Sequence, residues 1–190
     1  YSAWVLTPIF HSNVSFNGES AIWMGAWNSW SDMGSELNNY FSNGISEAEG
    51  FNKVWDCANH SLTALYVVRS NPNPNTDGGV LSFSSCTLNE GKNLNDLVEA
   101  DAKWNSFSDT AGFSGGVYRL FPTAGILAED DDKDFWQMTA VSSLEAWGSN
   151  AQKYVDNNGG VAQSTIYGEV VSCNDQEIYQ ASNKRRAADN

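Results

Sequence analysis

The first 78 residues of this 190-residue chain repeat its C-terminal half, but without that half's opening segment. Placing Trp4, Leu6 and Pro8 over Tyr118, Leu120 and Pro122 sets a register that continues with gaps of only a residue or two. In that register Trp23 meets Trp136, Ser29 meets Ser143, Gly34 meets Gly148, Tyr40 meets Tyr154, Val54 meets Val170 and Cys57 meets Cys173. Coincidences in one order, several at Trp, Cys, Gly and Pro, mark a duplication, so the two halves are expected to share an architecture. The segment from about Gly79 to Gly115 has no counterpart ahead of Tyr1.

The complete copy reads element by element. Val80–Leu88 has the apolar and small residues of a strand, and Asn89-Glu90-Gly91-Lys92 follows as a turn. Asn93 is placed to cap a helix whose Leu94, Leu97, Val98, Trp104 and Phe107 recur near a 3.6-residue period, until Gly112, Gly115 and Gly116 stop it. Val117–Phe121 and Phe135–Val141 read as a hairpin around an acidic loop. Ser142 or Ser143 then caps a second helix bearing Leu144, Trp147, Ala151, Tyr154 and Val155, which the Asn-Asn-Gly-Gly run ends, and Ile166–Cys173 reads as the last strand.

That β-α-β-β-α-β order is the ferredoxin-like split unit. The first copy supplies strands at Trp4–Phe10 and Ala21–Ala26, a helix at about Asp32–Phe41 and a strand at Phe51–Cys57. The expected fold is therefore α+β, with two ferredoxin-like repeats and antiparallel sheets, the first repeat lacking its initial strand and helix. The boundaries are 1–69 for the truncated repeat, 70–79 for a Pro/Asn/Gly linker, 80–181 for the complete repeat and 182–190 for a polar tail containing Lys184, Arg185 and Arg186.

Ten basic against 23 acidic residues give a formal charge of −13, which repels a phosphate backbone or an anionic membrane surface. No apolar run reaches the roughly 18 residues of a membrane helix, so membrane insertion is not expected. No targeting segment is legible, and the start at Tyr1 is compatible either with a removed leader or with a sequence that begins downstream of the true one.

Cys57, Cys86 and Cys173 are an odd number. First and fourth strands are neighbours in a ferredoxin-like sheet, so Cys86 and Cys173 are a candidate disulfide. Cys57, at the equivalent fourth-strand place, is left unpaired or paired with a fourth cysteine upstream. Three buried free thiols are the alternative. With no C-x-x-C and only His11 and His60, a thiolate/imidazole zinc site has little to work with.

His60 lies three residues beyond Cys57, but the matching place after Cys173 holds Gln176, which argues against a Cys/His nucleophilic pair. Glu129, Asp130, Asp131, Asp132 and Asp134 are weak calcium candidates, since their spacing lacks the alternating order of a calcium loop. No nucleophile-elbow, zincin, P-loop or dinucleotide motif occurs. Asn13-Val14-Ser15 and Asn59-His60-Ser61 fit the glycosylation pattern.

Two such units in one chain resemble the dimeric α+β barrel superfamily. The Glu90-Gly91-Lys92-Asn93-Leu94 stretch after a strand-one cysteine, with Trp4–Pro8 as strand two, is also similar to exported marine-bacterial proteins of unassigned function. The second resemblance implies a strand and helix before Tyr1. The first implies a pocket between helices and sheet, as in cofactor-free oxygenases, isomerases and haem enzymes, with Trp23, Trp27, Asn28, Trp30 and Trp136 as pocket candidates here. Haem is disfavoured because only His11 and His60 could ligate it, and no cofactor is expected. The leading expectation is an extracytoplasmic, acidic binding or interaction module without evident catalytic residues. Its partner is a protein, a small apolar ligand or further copies of itself. A cofactor-independent barrel enzyme acting on a small apolar molecule is one alternative, and an assembly subunit completed by a partner strand is another.

Overall fold

The computed structural model describes residues 1–10, 21–53, 55, 57, 60–72, 77–126 and 132–186, with the backbone alone for 45–48. In chain order the elements are β1 (Ser2–Phe10), β2 (Ile22–Ala26), α1 (Trp30–Asn43), α2 (Ile45–Asn52), β3 (Leu62–Arg69), β4 (Gly78–Leu88), α3 (Leu94–Ala111), β5 (Gly116–Ala124), β6 (Phe135–Val141), α4 (Leu144–Asp156), α5 (Gly159–Tyr167), β7 (Val171–Cys173) and β8 (Glu177–Arg185). The strands form one sheet in the order β2-β1-β8-β4-β6-β5-β3, with β7 also paired to β4. Every neighbouring pair is antiparallel.

Alternation along the strands divides the core in two. On one face Leu6, Leu81, Met138, Tyr179 and Ala181 are buried together, flanked by Trp4, Met24, Phe83, Tyr118, Leu120 and Ala140. All of these come from strands, so the sheet covers this inner face by curling over it. On the outer face Val80, Val141 and Ile178 pack with Trp147 of α4, while Cys86 and Phe135 pack with Leu97 of α3 and Tyr167 of α5. Because β4 is covered on both faces, it reads as a nearly unbroken apolar and small run.

The caps follow the sequence chemistry. Asn93 accepts from the Asn95 amide at 2.8 Å while Asp96 accepts from the Asn93 amide at 2.9 Å, closing a capping box on α3. Ser29 and Ser143 cap α1 and α4 in the same sense. Gly78 and Gly79, expected in the linker, open β4 with φ of +150° and +154°. A Cβ on either would strike a carbonyl, of Ala181 or Val141 respectively.

Three sequence expectations need correction. Phe51, expected in a strand, ends helix α2, and its ring stacks on Trp55 four residues on at 5.9 Å, a helical spacing that the short aromatic run concealed. The next strand lies later, at Leu62–Arg69. In the C-terminal half Asn157-Asn158-Gly159-Gly160 does not end the helical region, because Asn158 in the left-handed conformation turns the chain into α5, which takes Ile166 and Tyr167 out of the expected strand Ile166–Cys173 and leaves only Val171–Cys173 as β7, with β8 following at Glu177–Arg185. Residues 182–185, expected as tail, extend β8, where Ala3 pairs with Arg185 and Trp4 with Asn183.

Candidate functional site

Among the described residues, β2 and β3 each have one strand neighbour and one unpaired edge. Both edges are apolar. Ile22 pairs with Leu6 and Met24 with Trp4, which puts Ile22 and Met24 on the inner face. Leu65 pairs with Leu120 and Val67 with Tyr118, so they also face inward. Yet Ile22 is 45%, Leu65 52% and Val67 47% exposed, because each lies on an edge strand with no described strand beyond it. Apolar side chains directed at a core but left in water are a binding signal.

The expected pocket residues divide between the two faces. Trp136 pairs with Leu120 on the inner side, whereas Trp23 pairs with Val5 and points outward. The partner of Leu6 is Ile22, so Ile22 and not Trp23 stands where Trp136 stands beside Leu120. A one-residue slip in a strand exchanges faces, which is why the Trp–Trp match misleads. Trp23 instead packs against Phe51 at 5.5 Å and Trp55 at 6.4 Å and donates to the Tyr1 hydroxyl at 2.9 Å. Trp27 stacks on Tyr1 at 4.6 Å and donates to Glu36 at 3.0 Å. Asn28 and Trp30 lie exposed at the entry to α1.

Cys86 and Cys173 are opposite one another on β4 and β7 and form a disulfide, with Cα atoms 4.1 Å apart. Cys57 is free and half-buried. The bridge indicates an oxidising environment. Among the described residues no helix is long and apolar enough to cross a membrane. Asp134 accepts from the Leu88 amide at 2.7 Å and Asp132 carries a backbone contact to Thr87, so both tie the loop to β4. Glu129, Asp130, Asp131, His11, Asn13 and Asn59 lie outside the described residues, within which no metal-ligating cluster forms. His60 is exposed.

A second cluster carries no sequence motif. Asp101 on α3 and Arg119 on β5 are 5% and 2% exposed and bind one another through both carboxylate oxygens and both guanidinium Nη atoms, one contact measuring 2.6 Å. Tyr167 of α5 donates to Asp101 at 2.8 Å, and Arg119 lies 5.0 Å from the centre of the Phe135 ring. Arg119 Nε has no hydrogen-bond partner among the described residues. Burial, and then the Asp101 charge, push the Tyr167 phenol upward, so it stays a donor. Outside it, Tyr154, Gly160, Gln163, Ser164, Tyr167 and Val171 line an open depression of about 310 Å³. A signal was present: Asp101 interrupts the buried helix face of Leu97 and Ala100, and Arg119 sits inside an apolar strand.

Compared with protein-family profiles, curated proteins and solved structures, the chain gives no significant match.

Proposed function

We propose that the chain is a non-catalytic, extracytoplasmic interaction module built from two ferredoxin-like units that share one sheet. The element order supports the duplication. Strand, strand, helix, helix and strand start at residues 2, 22, 30, 45 and 62, and the same series starts again at 116, 135, 144, 159 and 177, a near-constant offset. In the second series, with β4 and α3 in front, the strands lie side by side as fourth, first, third and second, the arrangement of the split unit.

The observation that carries the interaction reading is the pair of apolar strand edges, where Ile22, Leu65 and Val67 face inward but remain about half exposed. Strand edges with apolar side chains are suited to main-chain pairing with a partner protein. The formal charge of −13 turns the rest of the surface away from nucleic acid and anionic lipid. The disulfide supports an extracytoplasmic setting.

A photo-reactive side chain at position 66, on the β3 edge, tests this in the producing cell. It should capture one protein reproducibly, and Val67→Lys should suppress that capture. A reactive group at the exposed Glu99 position serves as control. Equal capture at both positions would contradict the reading.

A further inference from the structure

We propose that the open depression over α5 is a binding site for a neutral sugar residue, whose C–H face lies on a tyrosine ring and whose hydroxyls meet the Gln163 amide and the Ser164 hydroxyl. The site is separate from the strand edges and goes beyond the reading built on them.

Shape is the first support. The depression lies between the last turn of α4, the length of α5 and the start of β7, and its volume of about 310 Å³ is at the lower end of the roughly 300–1,000 Å³ of small-ligand sites. Two glycines keep it open. A Cβ at Gly168 would strike the Ser164 carbonyl, whereas a Cβ at Gly160 would meet only the Tyr154 hydroxyl, at 3.6 Å, an ordinary contact. Gly160 therefore leaves room in the depression that the fold itself does not require.

The chemistry of the walls is the second support. In a chain with 23 acidic residues, none of the side chains lining the depression is charged. An ionic ligand would find no counter-charge there, and a wholly apolar one would strip water from Gln163 and Ser164 without replacing it. A sugar residue offers both surfaces at once. Its electropositive C–H hydrogens match the negative face of an aromatic ring, and its hydroxyls both donate and accept.

Fixed geometry is the third. The Tyr167 hydroxyl donates to buried Asp101 at 2.8 Å, and its ring lies 5.8 Å from that of Trp104, so this wall is held in place. The Tyr154 hydroxyl donates to Gln163 Oε1 at 2.7 Å, which orients the amide. Gln163 Nε2 and Ser164 Oγ have no hydrogen-bond partner among the described residues. Groups oriented beforehand lose little freedom on binding.

The probes are the methyl glycosides of glucose, galactose and N-acetylglucosamine, titrated into the intact chain while backbone amide resonances are followed. At least one should shift the Gly160 and Gly168 amides saturably, with half-saturation at roughly millimolar concentration. Glycerol, which has hydroxyls but no ring face, should not. Gly160→Leu fills the depression and should abolish the saturable shift. Gln163→Leu removes the amide and should weaken binding roughly tenfold, the loss of one good hydrogen bond. Both positions are exposed on a helix, so neither change should lower the unfolding midpoint. A trisaccharide of the responding sugar that binds more tightly than the glycoside supports the site and marks a polysaccharide as its source, and equal binding supports it with a single terminal residue.

No saturable shift with any of the three glycosides, an equal response to glycerol, or binding that Gly160→Leu leaves unchanged would each overturn the proposal. The photo-capture experiment at position 66 reads the strand edges independently of all these outcomes.

Discussion

Asp101 and Arg119 are costly to separate. Each is desolvated beneath α3, and removing one leaves the other as a buried, uncompensated charge. Asp101→Ala should therefore destabilise the fold by about 3–5 kcal/mol, while a double replacement by apolar residues of similar volume should recover most of the loss. Denaturant unfolding of the two variants checks this, and additive losses would show that the pair is not coupled. The phenols of Tyr167 and Tyr179 give a second test. Burial raises both, with Asp101 and Glu177 respectively adding to it. A group whose folded pKa is raised contributes no slope below the unfolded value of about 10. Above that value the unfolded chain releases protons that the folded one keeps, so stability must fall as pH rises. Unfolding free energy measured against pH, with phenolate absorbance followed in parallel, should show both phenols ionising only as the fold is lost. Their ionisation in the intact fold near the ordinary tyrosine value would contradict the burial. These residues were hard to find in the sequence because a lone Asp on a helix and a lone Arg in a strand look like surface residues until topology brings them together.

At the scale of elements, β4 and its bridge tie together the C-terminal half, since β4 pairs with β6, β7 and β8. The Cys86–Cys173 disulfide closes a loop with a sequence separation of 87 residues. Replacing both cysteines by serine should cost about 2–4 kcal/mol, read as a lower unfolding midpoint with a steeper denaturant slope, because the unfolded chain freed of the bridge exposes more surface. Loss of the capping box through Asn93→Ala should cost about 1 kcal/mol and act on α3 alone. Elements with strong periodicity and caps, such as α3, β6 and α4, were legible from the sequence, and the pairing of Cys86 with Cys173 follows from the adjacency of the strands that carry them. The misread elements share a cause. Phe51 to Cys57 and Ile166 to Cys173 are short aliphatic and aromatic runs whose period is ambiguous over one or two turns. The Trp23–Trp136 match failed for another reason, since identity of residue type outweighed strand register and hid a change of face.

For the molecule as a whole, the decisive property is a curled antiparallel sheet whose edge strands among the described residues, β2 and β3, leave Ile22, Leu65 and Val67 about half exposed on the inner face. Covering the exposed half of Ile22, Leu65 and Val67 would gain roughly 1 kcal/mol for each side chain, before any backbone pairing. An acidic surface keeps such an open edge from unspecific self-association, because copies of charge −13 repel one another. Only the strand order reveals that β2 and β3 are both edges among the described strands. The most direct test is amide hydrogen exchange of the intact chain, comparing the edge strands with the central strand β4. The outward amides of Ile22–Ala26 and Leu62–Arg69 should exchange rapidly, whereas those of Val80–Phe83, paired on both sides, should be protected. Protection at both edge strands equal to that of β4 would contradict the open edges on which the interaction reading rests.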